Sequence, residues 1–397
     1  MSTGSVIDLY KKYVMPTYTQ MPLVLAKGRG ARVWDADGNE YLDFFPGWAV
    51  SGLGHCHPKV TAALAKQAGR IMHVSNNYYS EMQGLLAKKI IEHSFPGKVF
   101  FANSGAEANE CAIKLARKYG NKDNRYEIVT MLGSFHGRTM ATITATGQDK
   151  VKVGFAPLLE GFKHVPFNDI DALKGAISDK TVAIMMEPIQ GEGGINVADK
   201  DYLEKVRKLC DEKDMLLIFD EVQTGMGRCG RFFAYQHLGV QPDVMTLAKS
   251  LGSGVPIGAA VAAERVAYTL TPSSHASTFG GSPICSSAAL ATFEAIEKEG
   301  LLDNAIAMGE YIREKIADLR KKYAFIKNVR GVALMIGVEL DIEGEDIYKE
   351  CLKRGLLINC TQKTILRIMP PLVVTRKEID KAVSILDKVF EDIYAKK

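Results

Sequence analysis

The chain has 397 residues, 47% of them apolar and 24% charged, with a formal net charge of +4. That length exceeds what one hydrophobic core usually supports, so two or more structural parts are expected. The charge is nearly balanced and no block of Lys and Arg is interleaved with aromatics, which argues against nucleic acid as a partner.

In chain order, residues 1–50 read as a short helix and then a small hairpin. Leu23-Val24-Leu25 and Ala31 to Trp34 are strand-like, with an Asp37-Gly38 turn before Glu40 to Asp43. Residues 59–93 carry apolar residues at helical spacing through Val60, Leu64, Ala68 and Ile71. Strands and helices then alternate. Val99 to Phe101 reads as a strand, Ala106 to Tyr119 as a helix, and Ile128 to Met131 and Val182 to Met186 as strands. Tyr202 to Glu212 reads as a helix, and Leu216 to Phe219, Val244 to Leu247 and Ile257 to Ala262 as strands. Continuous apolar strands separated by helices predict an α/β fold with a mostly parallel sheet covered on both faces. From about residue 283 the character changes. A helical stretch, Ile284 to Lys322, leads into strands at Val332 to Leu340, Leu356 to Asn359 and Thr364 to Met369, and a helix over 376–396. The expected organisation is a large α/β domain over 59–290 and a smaller α+β domain built from both termini, 1–58 and 291–397.

The seven cysteines, at 56, 111, 210, 229, 285, 351 and 360, are odd in number and scattered, which argues against a disulfide framework. His55-Cys56-His57 has the wrong spacing for one metal site, because neighbours on an extended chain point to opposite sides. No metal is expected. No apolar run approaches the roughly 18 residues of a spanning helix. Met1 to Lys12 lacks an apolar signal-peptide core, so the cytoplasm is the expected compartment.

Unusual residues gather at the carboxyl ends of the predicted strands, where doubly wound sheets bind ligands. Ser104-Gly105-Ala106 follows one strand and opens a helix, and free N–H groups there suit a phosphate. A serine N-cap before Gly needs no ligand, however, so this stretch alone decides nothing. Asp220 ends the most apolar strand, Leu216 to Phe219, and a carboxylate there needs cations or hydrogen bonds. It suits either a structural cap or a partner for a protonated pyridine nitrogen. Lys249 directly follows Val244 to Ala248. A desolvated lysine has a lowered pKa and can form a Schiff base. The Gly-rich stretch after it, Ser250 to Gly254, leads to Pro256 rather than a helix start, which argues against a dinucleotide loop.

At this point the motifs match a family. The stretch Phe219-Asp220-Glu221-Val222-Gln223-Thr224-Gly225-Met226-Gly227-Arg228 is followed by Pro242-Asp243-Val244 and Ala248-Lys249-Ser250-Leu251-Gly252. With Ser134-Phe135-His136-Gly137-Arg138-Thr139 and Glu187-Pro188-Ile189-Gln190-Gly191-Glu192, these resemble the class III (ω-type) aminotransferases of fold type I, and within them the acetylornithine and succinylornithine aminotransferases. The resemblance runs from Gly28 to Leu372. It implies pyridoxal 5′-phosphate (PLP) as cofactor, with Lys249 as the Schiff-base lysine and proton carrier and Asp220 as the pyridinium partner. Gln223 would contact the ring hydroxyl, Val222 and Phe135 would pack on the two ring faces, and His136 would be a further cofactor contact. Ser104, Gly105 and Ala106 would grip the phosphate. Thr278 resembles the threonine that reaches a neighbouring subunit's phosphate, which implies a homodimer with shared sites.

For the substrate, Arg138 resembles the arginine that binds the carboxylate far from the reacting amine. Arg367 resembles a second arginine, for the α-carboxylate of glutamate, and Glu192 the movable glutamate that pairs with it when that carboxylate is absent. Tyr18 and Ser277 are further candidate substrate contacts. Trp48 stands where the family usually has a smaller aliphatic residue, and Ser282 where asparagine is common. The expected reaction moves the ω-amino group of N2-acetyl-L-ornithine to 2-oxoglutarate in a ping-pong cycle of arginine synthesis. Succinylornithine, ornithine, 4-aminobutyrate and N-acyl-diaminopimelate are the alternative donors. An aminomutase is disfavoured by the Glu192 and Arg367 pair, and a non-catalytic PLP-binding regulator by the presence of Lys249, Asp220 and Arg138.

Overall fold

A computed structural model describes residues 2–395. Its centre is a seven-stranded sheet in the order Gly97–Ala102, Gly258–Ala263, Val244–Leu247, Leu216–Asp220, Thr181–Met186, Glu127–Met131, Phe162–Val165. Only Gly258–Ala263 runs antiparallel to its neighbours. The middle strands are buried along their whole length, as their unbroken apolar runs require when helices cover both faces. The strands ending at Ala102, Met186, Asp220 and Leu247 share a direction, so the residues just past them collect along one edge.

Two smaller sheets flank this one. Leu25–Arg29, Arg32–Asp35 and Glu40–Asp43 form an antiparallel ribbon, and Leu356–Leu357 from far along the chain adds to it in parallel. Ile326–Val332, Met335–Leu340, Ile365–Ile368 and Asn359–Thr361 make the other.

Several expected elements divide in two. The helix over 59–93 becomes Pro58–Ala68 and Glu81–His93. The turn-forming run Ser75-Asn76-Asn77 lies between them. The stretch Ile284 to Lys322 becomes Pro283–Lys298 and Leu301–Lys322, broken at Gly300, whose φ is +63°. The expected domain division at 290/291 falls within the first of these helices. Val332 to Leu340 spans the turn of a hairpin at Ala333 (φ +47°) and its second arm, Met335–Leu340, and Leu356 to Asn359 serves two different sheets. The first strand is Leu25–Arg29 rather than Leu23 to Leu25. The edge strand Phe162–Val165 was not expected, because Phe-Lys-His-Val has no unbroken apolar run. The last helix is Arg376–Tyr394, and position 396 lies outside the described residues.

The Leu301–Lys322 helix meets the Ala333 turn at Gly309. A Cβ there would come 2.2 Å from the Ala333 carbonyl oxygen. Replacing Gly by Ala in a helix gains about 1 kcal/mol of propensity, but overpacking against fixed backbone costs about 1–3 kcal/mol. Gly309→Ala is therefore expected to lower stability by up to about 2 kcal/mol in urea unfolding. A stabilised variant would mean that the helix and the turn can separate freely.

Candidate active site

The carboxyl edge of the central sheet opens on a cavity of about 410 Å3 lined by residues from all four converging strand ends, Asn103, Glu187, Asp220 and Lys249 among them. Lys249 follows its strand with a left-handed backbone (φ +44°) and starts a short 3-10 turn. Burial lowers its pKa, and the carboxylates of Glu192, Asp220 and Glu187 oppose that effect. Its amine is therefore easier to deprotonate than that of a surface lysine.

Asp220 is held by three donors. Asn109 Nδ2 and His136 Nδ1 each lie 2.8 Å from its Oδ2, and the Val222 N–H donates to Oδ1 at 3.0 Å. Asn109 is in turn fixed by Thr246 Oγ1, which donates to its Oδ1 at 2.7 Å. Asn109 and Thr246, which hold Asp220 in place, carry no recognised motif in the sequence. The signal was available, because Asn109 is a polar side chain on the otherwise apolar buried face of its helix.

The helix Gly105–Gly120 points its N-terminus into the cavity. Ser104 caps it, its side chain accepting from the Glu107 N–H at 3.2 Å. A Cβ at Gly105 would come 2.7 Å from Val222 Cγ1, so glycine lets Val222 pass close to this helix end. Phe135 also borders the cavity, and the guanidinium of Arg138 lies 5.5 Å from its ring centre.

Glu187 was quoted in a motif without a role. It is fully buried, and its two oxygens accept from the Phe135 N–H (3.0 Å) and the Gly191 N–H (3.1 Å). It thus joins the Phe135 loop to the loop carrying Glu192. Burial pushes its carboxyl up to about 7, against those hydrogen bonds and the nearby His136.

Arg367 has no exposed side-chain surface. Its Nη1 lies 2.6 Å from Glu192 Oε1. Asn359 Oδ1 accepts from its Nε (2.8 Å) and Nη2 (2.6 Å), and the Gly191 carbonyl from its Nη1 (3.1 Å). The rings of Phe45 and Trp48 flank it, with centres 4.6 and 5.5 Å from the guanidinium carbon. Trp48 itself is left-handed (φ +63°) and half exposed.

Ser104, Gly105, Ala106, Phe135, His136, Arg138, Glu192, Asp220, Val222, Gln223 and Lys249 all line this cavity, and Arg367 stands behind Glu192. Ser277, Thr278 and Tyr18 lie away from it. Ser277 and Thr278 line a neighbouring cavity with Phe100 and His275, and Asn103 borders both. Tyr18 is 74% exposed. His55 and His57 turn to different carboxylates, Asp43 and Glu299.

The residues fit PLP. An N–H-rich helix end suits its phosphate, a multiply donated carboxylate suits its pyridinium, and a buried amine suits its aldehyde. Gln223 Oε1 is buried with no hydrogen-bond partner among the described residues, as expected of a group waiting for a ligand. A doubly wound sheet with this edge defines a PLP-dependent enzyme of fold type I.

The comparisons agree. The model of the family described as aminotransferase class-III matches residues 13–390. The acetylornithine aminotransferase of Methanocaldococcus jannaschii is 55% identical over 99% of this chain and 100% of its own length. That of Caldanaerobacter subterraneus is 54% identical over 98% and 99%. The crystal structure of ornithine aminotransferase from Toxoplasma gondii has a TM-score of 0.95 and 35% identity, covering 100% of this chain and 97% of that one. This chain belongs to the class III aminotransferases, and it is a PLP-dependent enzyme. No helix among the described residues is long and apolar enough to cross a membrane.

Beside the site, Glu221 is fully buried and accepts at 2.7 Å from the Ala234 N–H, the Tyr235 N–H and Thr224 Oγ1. Burial outweighs these bonds and pushes its carboxyl up to about 7 from 4.5. A raised pKa means that the folded protein keeps a proton that the unfolded chain gives up. The stability this confers is complete below about 4.5 and is lost as pH rises through 7. Glu221→Gln cannot ionise. The stability gap between parent and variant should narrow from pH 5 to pH 8, by on the order of 2 kcal/mol in urea midpoints. A widening gap would mean that the three hydrogen bonds outweigh burial.

Proposed function

We propose that the enzyme transfers the ω-amino group of N2-acetyl-L-ornithine to 2-oxoglutarate, in a ping-pong cycle serving arginine synthesis. The observation that carries this reading is the buried Arg367–Glu192 pair, set in the same site as Lys249 and Arg138. The names of the relatives at 54–55% identity support the donor.

Such a site meets two substrates of different charge at one place. The donor presents its ω-amine, next to a carbon that bears no carboxylate, while glutamate presents an amine beside an α-carboxylate. A buried arginine left alone costs roughly 3–5 kcal/mol. Glu192 neutralises Arg367 while the donor is bound and withdraws when glutamate's α-carboxylate takes its place. Arg138 holds the carboxylate at the far end of either substrate, and its planar fork suits that task.

When bound, PLP supplies an electron sink for the pair released from the substrate C–H bond. Lys249 would hold the cofactor through its aldehyde, and an amine whose pKa burial has lowered suits a group that takes and returns the substrate proton. Asp220, fixed by Asn109 and His136, would favour a protonated ring nitrogen. Gln223 would answer the ring hydroxyl, Val222 and Phe135 would pack against the ring, and the backbone at Ser104, Gly105 and Ala106 would hold the phosphate.

The enzyme acts as a homodimer in the cytoplasm. Thr278 stands outside this protomer's cavity, which suits a residue that serves the partner's phosphate. Ser277 and Tyr18 complete the substrate contacts in that assembly.

Single-turnover spectroscopy of the PLP form tests the donor. N-acetylornithine should react at least about tenfold faster than N-succinylornithine, ornithine or 4-aminobutyrate, a difference of about 1.4 kcal/mol in the barrier. A faster reaction with 4-aminobutyrate or ornithine would reject the donor and direct attention to Trp48. In the same assay, Glu192→Ala should slow the N-acetylornithine half-reaction about 10–100-fold more than the glutamate half-reaction. Equal effects on both would remove the switching role.

A further inference from the structure

The loop that carries Glu192 is held at Gly191 by Glu187 and Arg367, and further along by the sheet that carries Arg367. The Arg330 Nε donates to the Gly194 carbonyl at 2.9 Å. The Glu192 carbonyl accepts two side-chain hydrogen bonds at once, from Thr361 Oγ1 (2.8 Å) and from Gln362 Nε2 (2.9 Å). Both of that oxygen's lone pairs are therefore used. The Glu192 side chain, by contrast, is 22% exposed and borders the cavity.

The two donors sit at a strained turn. Thr361 ends the strand Asn359–Thr361, and the strand Ile365–Ile368, which carries Arg367, begins four residues later. Between them Gln362 (φ +47°) and Lys363 (φ +64°) are both left-handed. That conformation is unfavourable for any residue with a Cβ, and strain of this kind collects where function requires a set geometry. Glycine would relax either position. At 362, glycine would also remove the amide that reaches Glu192.

We propose that Thr361 and Gln362 are positioning residues that fix the main chain of Glu192 as a pivot, so that its carboxylate alone swings between Arg367 and the cavity. The proposal rests on the switching role given to Glu192 above. The turn keeps a strained glutamine because its side chain sets where the pivot lies. The same turn fixes the register of Arg367, so both partners of the pair are measured from one hairpin. With the pivot loose, Glu192 neutralises Arg367 less well during the donor half-reaction. The glutamate half-reaction, in which Glu192 is withdrawn, is little affected.

The test is single-turnover spectroscopy of the holoenzyme with N-acetylornithine and with glutamate, together with thermal unfolding. Thr361→Val combined with Gln362→Gly should slow the donor half-reaction about tenfold, or about 1.4 kcal/mol, and change the glutamate half-reaction by less than about threefold. Thr361→Ser retains the hydroxyl and should behave as the parent. Lys363→Gly relaxes the turn without touching the clamp, and should leave both half-reactions unchanged with no loss of melting temperature. Gln362→Gly should likewise keep its melting temperature while shifting the ratio of half-reactions, which separates positioning from stability. A double variant that keeps the parent's ratio, or slows both half-reactions equally, overturns the clamp. Glu192→Ala run alongside tells the two ideas apart. If it shifts the ratio and the double variant does not, only the clamp fails. If it does not shift the ratio, the switch falls and the clamp with it.

Discussion

Arg367 has no contact with water, and its N–H groups are answered from within the protein by two segments. Its own strand supplies the position and Asn359, across the hairpin, supplies one acceptor. The 191–192 loop supplies a carbonyl and a carboxylate. The N-terminal region supplies the two aromatic faces, Phe45 and Trp48. The sheet that carries Arg367 cannot shift relative to the central sheet without leaving part of that charge unpaired. A second buried arginine ties the same region down. Arg228, from the loop after Asp220, donates through Nη1 to the carbonyls of Leu334 and Pro370, the latter three residues beyond Arg367. No carboxylate pairs with Arg228 among the described residues, and burial lowers its pKa to about 10. Its Nε and Nη2 have no hydrogen-bond partner among the described residues, so its hydrogen bonds are the two from Nη1 to those carbonyls.

The chemistry-bearing residues were legible in the sequence for a simple reason. A strand buried on both faces reads as an unbroken apolar run, so a charged residue at its end is conspicuous. Asp220 and Lys249 both stand out this way, and the central sheet follows from the same runs. What could not be read was juxtaposition. Asn109 and Asp220 are 111 positions apart, and Asn359 becomes a ligand of Arg367 only through the pairing of two short strands. The breaks at Gly300 and at 69–80 were missed because apolar spacing continues across them, while the breaks are set by local backbone conformation. Phe162–Val165 was missed because an edge strand needs only one buried side.

Thr278 and Tyr18 mark a different limit. The family resemblance gave them roles in the site, but the fold of one protomer holds them away from the cavity. Under the homodimer proposed above, a second chain would bring such residues to a shared site, and hydrophobic periodicity carries no information about that.

The two ends of the cavity differ in kind, and the difference matches the proposed cycle. Asp220 takes all its hydrogen bonds from groups that are themselves buried or in the main chain, namely Asn109, His136 and the Val222 N–H. Nothing a substrate brings can replace them, so this end is permanent, as a site for a resident cofactor must be. Arg367 takes some of its bonds from fixed groups, Asn359 and the Gly191 carbonyl, and the rest from the carboxylate of Glu192. The fixed bonds hold the guanidinium plane in place when the carboxylate leaves. The vacated positions form a fork of the right shape for another carboxylate. One end of the site is thus closed to exchange and the other built for it. A site that must keep one ligand while alternating between two others requires that division.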